Sequence, residues 1–154
     1  MLLLVFSANH LLDWPDVPEM WSNPKIEKRF ERLIELRPHV MKSLEDRRRE
    51  GLIGSPLEAK IIFQTASNKD FEYLAAFGDE LADYFVVSQA RVEKVDSVED
   101  AVGQAFPQTG INVVKADGRK CGRSWKYSTD VGKDPDYPEL SWKSAQIVKE
   151  ILHG

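Results

Sequence analysis

The spacing of apolar runs between residues 59 and 95 constrains the fold more than any other feature. Residues 59–66 carry Ile61, Ile62 and Phe63 in one short apolar run, which reads as a strand. Ser67 or Asn68 then caps a helix whose buried face draws on Phe71, Leu74, Ala75, Leu81 and Phe85. Residues 85–95 set Val87 and Val92 among polar neighbours and read as a second strand. Strand, helix, strand at this spacing predicts a βαβ unit with parallel pairing and a right-handed crossover. Residues 96–106 are a short helix or a loop, and residues 111–116 supply a third strand.

A long helix is expected before this unit. Ser22 or Asn23 caps it, and Pro24 sits in the first turn, where a missing N–H costs nothing. Ile26, Phe30, Leu33, Ile34, Val40, Met41 and Leu44 recur at three- and four-residue steps and form one apolar stripe. Pro38 interrupts the stripe and is expected to kink the helix or split it near Leu36, with Gly51 and Gly54 ending it. Upstream, residues 13–18 hold two prolines and read as a loop. Residues 1–6 are apolar but too few for a secretory leader, and they read as a buried strand or a docking tail. No stretch reaches the roughly 20 apolar residues of a membrane span, so no membrane partner is expected and the expected location is the cytoplasm.

The last forty residues differ in character. They run through Gly118, Gly122, Gly132, Pro135 and Pro138 and close on a helix from about residue 141 to 152. The expected organisation is therefore two parts, 1–114 and 115–154, within an α+β fold. A long N-terminal helix and a small mixed sheet containing the βαβ unit make up the first part, and a hairpin plus helix the second. At 154 residues the chain can bury roughly 70% of its unfolded surface without staples. Its single cysteine excludes an intramolecular disulfide framework.

Charge is uneven along the chain. Residues 1–114 carry 13 basic and 19 acidic side chains, a net of −6, while residues 115–154 carry 8 and 6, a net of +2. Lys115, Arg119, Lys120, Arg123 and Lys126 fall within twelve residues that contain one acid, Asp117, and Trp125 stands among them. A basic patch beside an aromatic suits a phosphate backbone and an unstacked base. A solvated basic hairpin is the plainer reading of the same residues. The run Arg47-Arg48-Arg49 is flanked by Glu45, Asp46 and Glu50 and reads as a salt-bridged helix surface. Asp79, Glu80 and Asp83 read as a solvated helix face, and His10, His39 and His153 sit in no motif that would pair one of them with Cys121 as a base.

Three segments, taken in order, resemble the C-terminal region of bacterial isoleucyl-tRNA synthetase. The first is Asp13-Trp14-Pro15-Asp16 with Trp21. The second runs from Leu33, Arg37, Val40, Leu44-Glu45 and Arg48 to Ile53-Gly54-Ser55-Pro56-Leu57-Glu58-Ala59. The third joins Gly118-Arg119-Lys120-Cys121-Gly122-Arg123-Ser124-Trp125 and Val131-Gly132 to Pro138-Glu139-Leu140-Ser141-Trp142-Lys143-Ser144. The resemblance implies a terminal zinc-ribbon-like module in which two Cys-x-x-Cys pairs hold the metal. The corresponding positions are 121, 124, 141 and 144, and only Cys121 is a cysteine, with Ser124, Ser141 and Ser144 in the other three places. A serine hydroxyl keeps its proton near neutral pH and is a poor zinc ligand, so these are vestigial positions and no cofactor is expected. A small core of Trp125, Tyr127, Leu140, Trp142, Ile147, Val148 and Ile151 is expected in place of the metal. Failing that, the tail docks on the larger part.

The family joins isoleucine to tRNA using ATP, yet its nucleotide-binding signatures, of the His-x-Gly-His and Lys-Met-Ser-Lys-Ser types, do not occur in this sequence. The resemblance thus implies a non-catalytic tRNA-binding part, which works with the rest of the synthetase chain on the anticodon-side half of tRNA(Ile). Arg119, Lys120, Arg123, Lys126, Lys115 and Lys143 are the candidates for phosphate contacts. Trp125 either stacks on a base or fills the small core. Arg37 and Arg48 read as structural, and Trp14 and Trp21 as packing residues. The competing reading is a structural or protein-interaction module without tRNA binding.

Overall fold

A computed structural model describes residue 16 and residues 18–153. The expected strand or tail at residues 1–6, His10 and the packing role of Trp14 lie outside the described residues. The chain divides into two compact units, Met1–Glu31 and Arg32–Gly154.

In the first unit a 3₁₀ turn at Glu19–Trp21 precedes helix α1 (Pro24–Arg49). Asn23 is the cap: its Oδ1 accepts from the N–H groups of Lys25 and Ile26 at 3.2 and 3.3 Å. Ser22 instead donates its hydroxyl to Glu27 at 2.9 Å. Trp21 does not pack as expected; it is 72% exposed, on a turn with no buried residue.

In the second unit α1 runs through Pro38 without a break. Pro38 is exposed, so water can serve the carbonyl that loses its amide partner, and the helix is not split. Leu33, Leu36, Val40 and Leu44 are its buried residues. The helix ends in a Schellman motif. Gly51 takes φ +74°, its N–H bonds the Arg48 carbonyl at 3.1 Å, and the Leu52 N–H reaches the Arg47 carbonyl at 3.0 Å.

Strand β1 (Ala59–Thr65) is the centre of a three-stranded sheet of order β2-β1-β3. It pairs parallel with β2 (Gln89–Lys94) and antiparallel with β3 (Thr109–Lys115). The βαβ unit is therefore present, within a mixed α+β fold. Its helical connection is two helices, not one. The Ser67 hydroxyl caps α2 (Asn68–Ala75) by accepting from the Asp70 N–H, the chain turns at Gly78 with φ +50°, and α3 (Glu80–Tyr84) follows. Leu74, Phe77, Leu81 and Phe85 are all buried, on both sides of the break. Residues 96–106 are a loop, not a helix.

One polar knot ties the helices to the sheet. The buried Asp70 carboxylate accepts from Arg32 at 2.5 Å, and Arg32 also donates to the Ala105 carbonyl at 2.7 Å. The same guanidinium lies over the rings of Tyr73 and Phe106, at 4.7 and 4.2 Å from their centroids.

Candidate functional site

The C-terminal ribbon begins with β4 (Arg119–Lys120) and β5 (Tyr127–Ser128), an antiparallel pair. Its tip is tight. The Cys121 N–H bonds the Lys126 carbonyl and the Trp125 N–H bonds the Cys121 carbonyl, each at 2.9 Å, and Trp125 takes φ +62°. Gly118 enters the hairpin at φ +88°; a Cβ there would stand 2.2 Å from the Ser128 carbonyl oxygen, so only glycine fits. A loop over residues 131–140 then leads to helix α4 (Trp142–His153).

The ribbon has a core, but not the expected one. Trp125 is 61% exposed, and Trp142 and Ile151 are exposed too. The buried residues are Cys121, Val131, Asp134, Ser144 and Ala145. Helix α4 turns its small Ser144–Ala145 face inward, which lets the hairpin tip approach closely and leaves no room for indole rings. Asp134 accepts from Lys149 at 2.7 Å, from the Asp136 N–H at 3.1 Å and from Gln146 at 3.4 Å. The Lys149 ammonium beside it holds its carboxyl below the ordinary value of 3.8.

Positions 121, 124, 141 and 144 converge. The Cys121 Sγ accepts from the Ser141 N–H at 3.3 Å and lies 3.5 Å from the Ser144 Oγ. Burial pushes the thiol up, but hydrogen bonds from Ser124, Ser141 and Ser144 outweigh it and bring it down to about 5.

The ribbon is docked on the sheet. The Ser88 hydroxyl accepts from the Tyr127 N–H at 2.6 Å, and Gln89 exchanges two hydrogen bonds with the Asp117 backbone at 2.9 and 3.0 Å. Lys60 pairs with Asp117 at 2.5 Å, and Lys126 pairs with Asp83.

These contacts sort the basic residues. Lys126 is committed to Asp83, so this acid is not simply part of a solvated face. Arg119 donates to the Val131 carbonyl at 2.5 Å. Lys120 lies over the Trp125 ring, 5.2 Å from its centroid. Lys115, Arg123 and Lys143 are exposed and have no side-chain partner among the described residues. Arg123 and Lys143 both line a cleft of about 460 Å³, whose lining also includes Asp79, Asp83, Lys126 and Asp130. The sequence signal for Arg123 was the basic run. None tied it to Asp79, which lies 44 positions earlier in the chain. Arg37 and Arg48 are structural: Arg37 donates to the Tyr84 carbonyl at 2.8 Å, and Arg48 pairs with Glu45 at 2.8 Å.

No protein-family model matches the chain. The isoleucine–tRNA ligase of Bacillus subtilis is 37% identical to it over 152 residues, which is 96% of this chain and 16% of that protein. Those of Kosmotoga olearia and Exiguobacterium sibiricum are 37% and 38% identical over 139 and 142 residues. The chain is homologous to one region of bacterial isoleucine–tRNA ligase. It spans about 15% of the length of the curated ligases it matches.

The ligase resemblance brings an implied zinc ion, and the donor set does not fit it. One sulfur and three serines surround the site; the sulfur already bonds the Ser144 hydroxyl and the Ser141 N–H, and a hydroxyl that keeps its proton is a poor zinc ligand. Among the described residues no group of three or more His, Cys, Asp or Glu side chains is arranged to hold a metal ion.

Proposed function

We propose that this chain is a non-catalytic tRNA-binding part of an isoleucine–tRNA ligase, acting in the cytoplasm with the rest of the synthetase chain to position the anticodon-side half of tRNA(Ile). The observation that carries the reading is the ribbon. On a chain of net charge −4, it presents two uncommitted cations, Arg123 and Lys143, and an exposed Trp125 braced by Lys120, with a third free cation, Lys115, at the end of β3. Lys115, Arg123 and Lys143 meet phosphates, with Lys120 joining them beside the indole, on which a base can stack. Arg119 and Lys126 shape the ribbon through Val131 and Asp83 and contribute field more than contact. The relatives' name supports the choice of tRNA and of isoleucine.

The reading needs no metal. Hydrogen bonds converging on Cys121, the Asp134–Lys149 pair and docking on the sheet do what a zinc ion does for a small module.

The test is a titration of the chain with tRNA bearing an isoleucine anticodon, beside an unrelated tRNA, across a salt series. The expected result is a preference for the isoleucine tRNA. Each phosphate contact should steepen the fall of affinity by about 0.7 to 0.9 log units per log unit of salt. Arg123→Ala and Lys143→Ala should each lower affinity and reduce that slope by about one. No binding at low salt would overturn the reading and favour a structural or protein-interaction module.

A further inference from the structure

The cleft lined by α3 and the ribbon carries charges of both signs, with Asp130 and Lys126 of the ribbon among them. On the ribbon side stand Arg123 and Lys143, both exposed and uncommitted, Lys143 in the first turn of α4. The positive end of that twelve-residue helix adds to their field. On the α3 side stand Asp79 and Asp83. The Asp83 carboxylate is shared with Lys126, whereas the Asp79 side chain makes no capping bond and has no partner among the described residues. Tyr127 and Ile147 give the lining an apolar stretch. The volume, about 460 Å³, lies within the roughly 300–1,000 Å³ of small-molecule sites. A cleft lined by both signs of charge does not serve a plain run of phosphates, because Asp79 would repel it.

The geometry points to a pocket for one unstacked nucleotide, with its phosphate on Arg123 and Lys143 and an amino-bearing base edge on Asp79. The inference rests on the tRNA reading for the source of that nucleotide. A carboxylate accepts hydrogen bonds and cannot donate them, so it suits the amino groups of cytosine, adenine and guanine. Uracil presents carbonyl oxygens on both sides of its one N–H and meets the carboxylate with repulsion. Base-edge readout of splayed nucleotides is the usual route to sequence preference in RNA recognition.

The experiment is an amide-shift titration of the isotope-labelled 154-residue chain with AMP, CMP, GMP and UMP at low salt, run beside the tRNA titration. Shifts should centre on Ser88, Gln89, Ser124 and Lys143, and UMP should bind about tenfold more weakly than the other three. Arg123→Ala with Lys143→Ala should weaken all four nucleotides alike. Asp79→Asn should bring the four within about threefold of one another, since an amide can face either edge. All three side chains are exposed, so these changes leave the core intact. Equal affinity for the four nucleotides in the unmodified chain, or shifts centred elsewhere, would overturn the pocket; salt-sensitive tRNA binding in the same preparation would still uphold the tRNA reading. Selective nucleotide binding without tRNA binding would uphold the pocket and overturn the tRNA reading.

Discussion

Phe63 and Cys121 are both fully buried, yet little else about their surroundings agrees. Phe63 lies at the middle of β1, flanked on both sides by strands, with the Phe85 ring 5.6 Å away. Leu33, Leu36, Ile61, Leu74 and Leu81 fill out that core with apolar area. Cys121 is surrounded by hydroxyls and amides, and its nearest buried neighbours include Ser144. Large side chains hold the sheet together by removing apolar surface from water, a force that is strong and indifferent to direction. Directional bonds hold the ribbon, through the Cys121 cradle and the Asp134 cluster, along a backbone that is left-handed at Gly118, Trp125 and Gly132. The ribbon is consequently precise in shape and poor in reserve. It is tied to the edge of the sheet through Ser88 and Gln89 and to α3 through Asp83.

The largest expected effect tests the apolar half of this contrast. Phe63→Ala should cost about 3–5 kcal/mol, read from a urea titration, and should lower the stability of sheet and ribbon together. Loss confined to the sheet would show the ribbon to be independent and break the comparison. Gly118→Ala comes next. Its Cβ would collide with the Ser128 backbone, so amide exchange in residues 119–128 should speed up while β1 keeps its protection. A global collapse of equal size would mean that the ribbon carries the sheet, not the reverse.

Acid gives a smaller and graded effect. The Asp134 carboxyl is held below 3.8, so its contribution is present above that value and is lost as pH falls through the lower folded value. Exchange in residues 131–149 should therefore rise below about pH 4 before the sheet responds. Asp134→Asn should remove that pH dependence. The smallest expected effect is none: a strong chelator should leave the melting temperature of the chain unchanged, because one thiol among three serines is too poor a donor set to hold zinc. A chelator-induced drop would overturn the metal-free reading of the Cys121 site.

Much of the fold could be read from short stretches of chain. Gly51 ends α1, Asn23 and Ser67 cap helices, and the runs around Ile61, Val92 and Val113 form the three strands. The break at Gly78 escaped that reading, because Phe71 to Phe85 keeps a helical rhythm across it and only the left-handed backbone at Gly78 marks the turn. Trp125 was placed in both a core and a base-stacking role by its composition alone. Its left-handed backbone at the hairpin tip decided for exposure.

By itself, then, the sequence determined the long helix α1 and the C-terminal helix α4, the three strands of the sheet, the parallel pairing around β1, the basic stretch at residues 115–126 and the lone thiol among serines. Each depends on residues within a few positions of one another or on a simple count. Tertiary structure alone decided which cations are free. Arg119 went to Val131, Lys126 to Asp83 and Arg32 to Asp70, while Arg123 and Lys143 were left facing a cleft. The pairs Arg32–Ala105 and Lys126–Asp83 span 73 and 43 positions. At such separations, partners are chosen by how the packed elements bring side chains within hydrogen-bond reach, and no local preference encodes that distance.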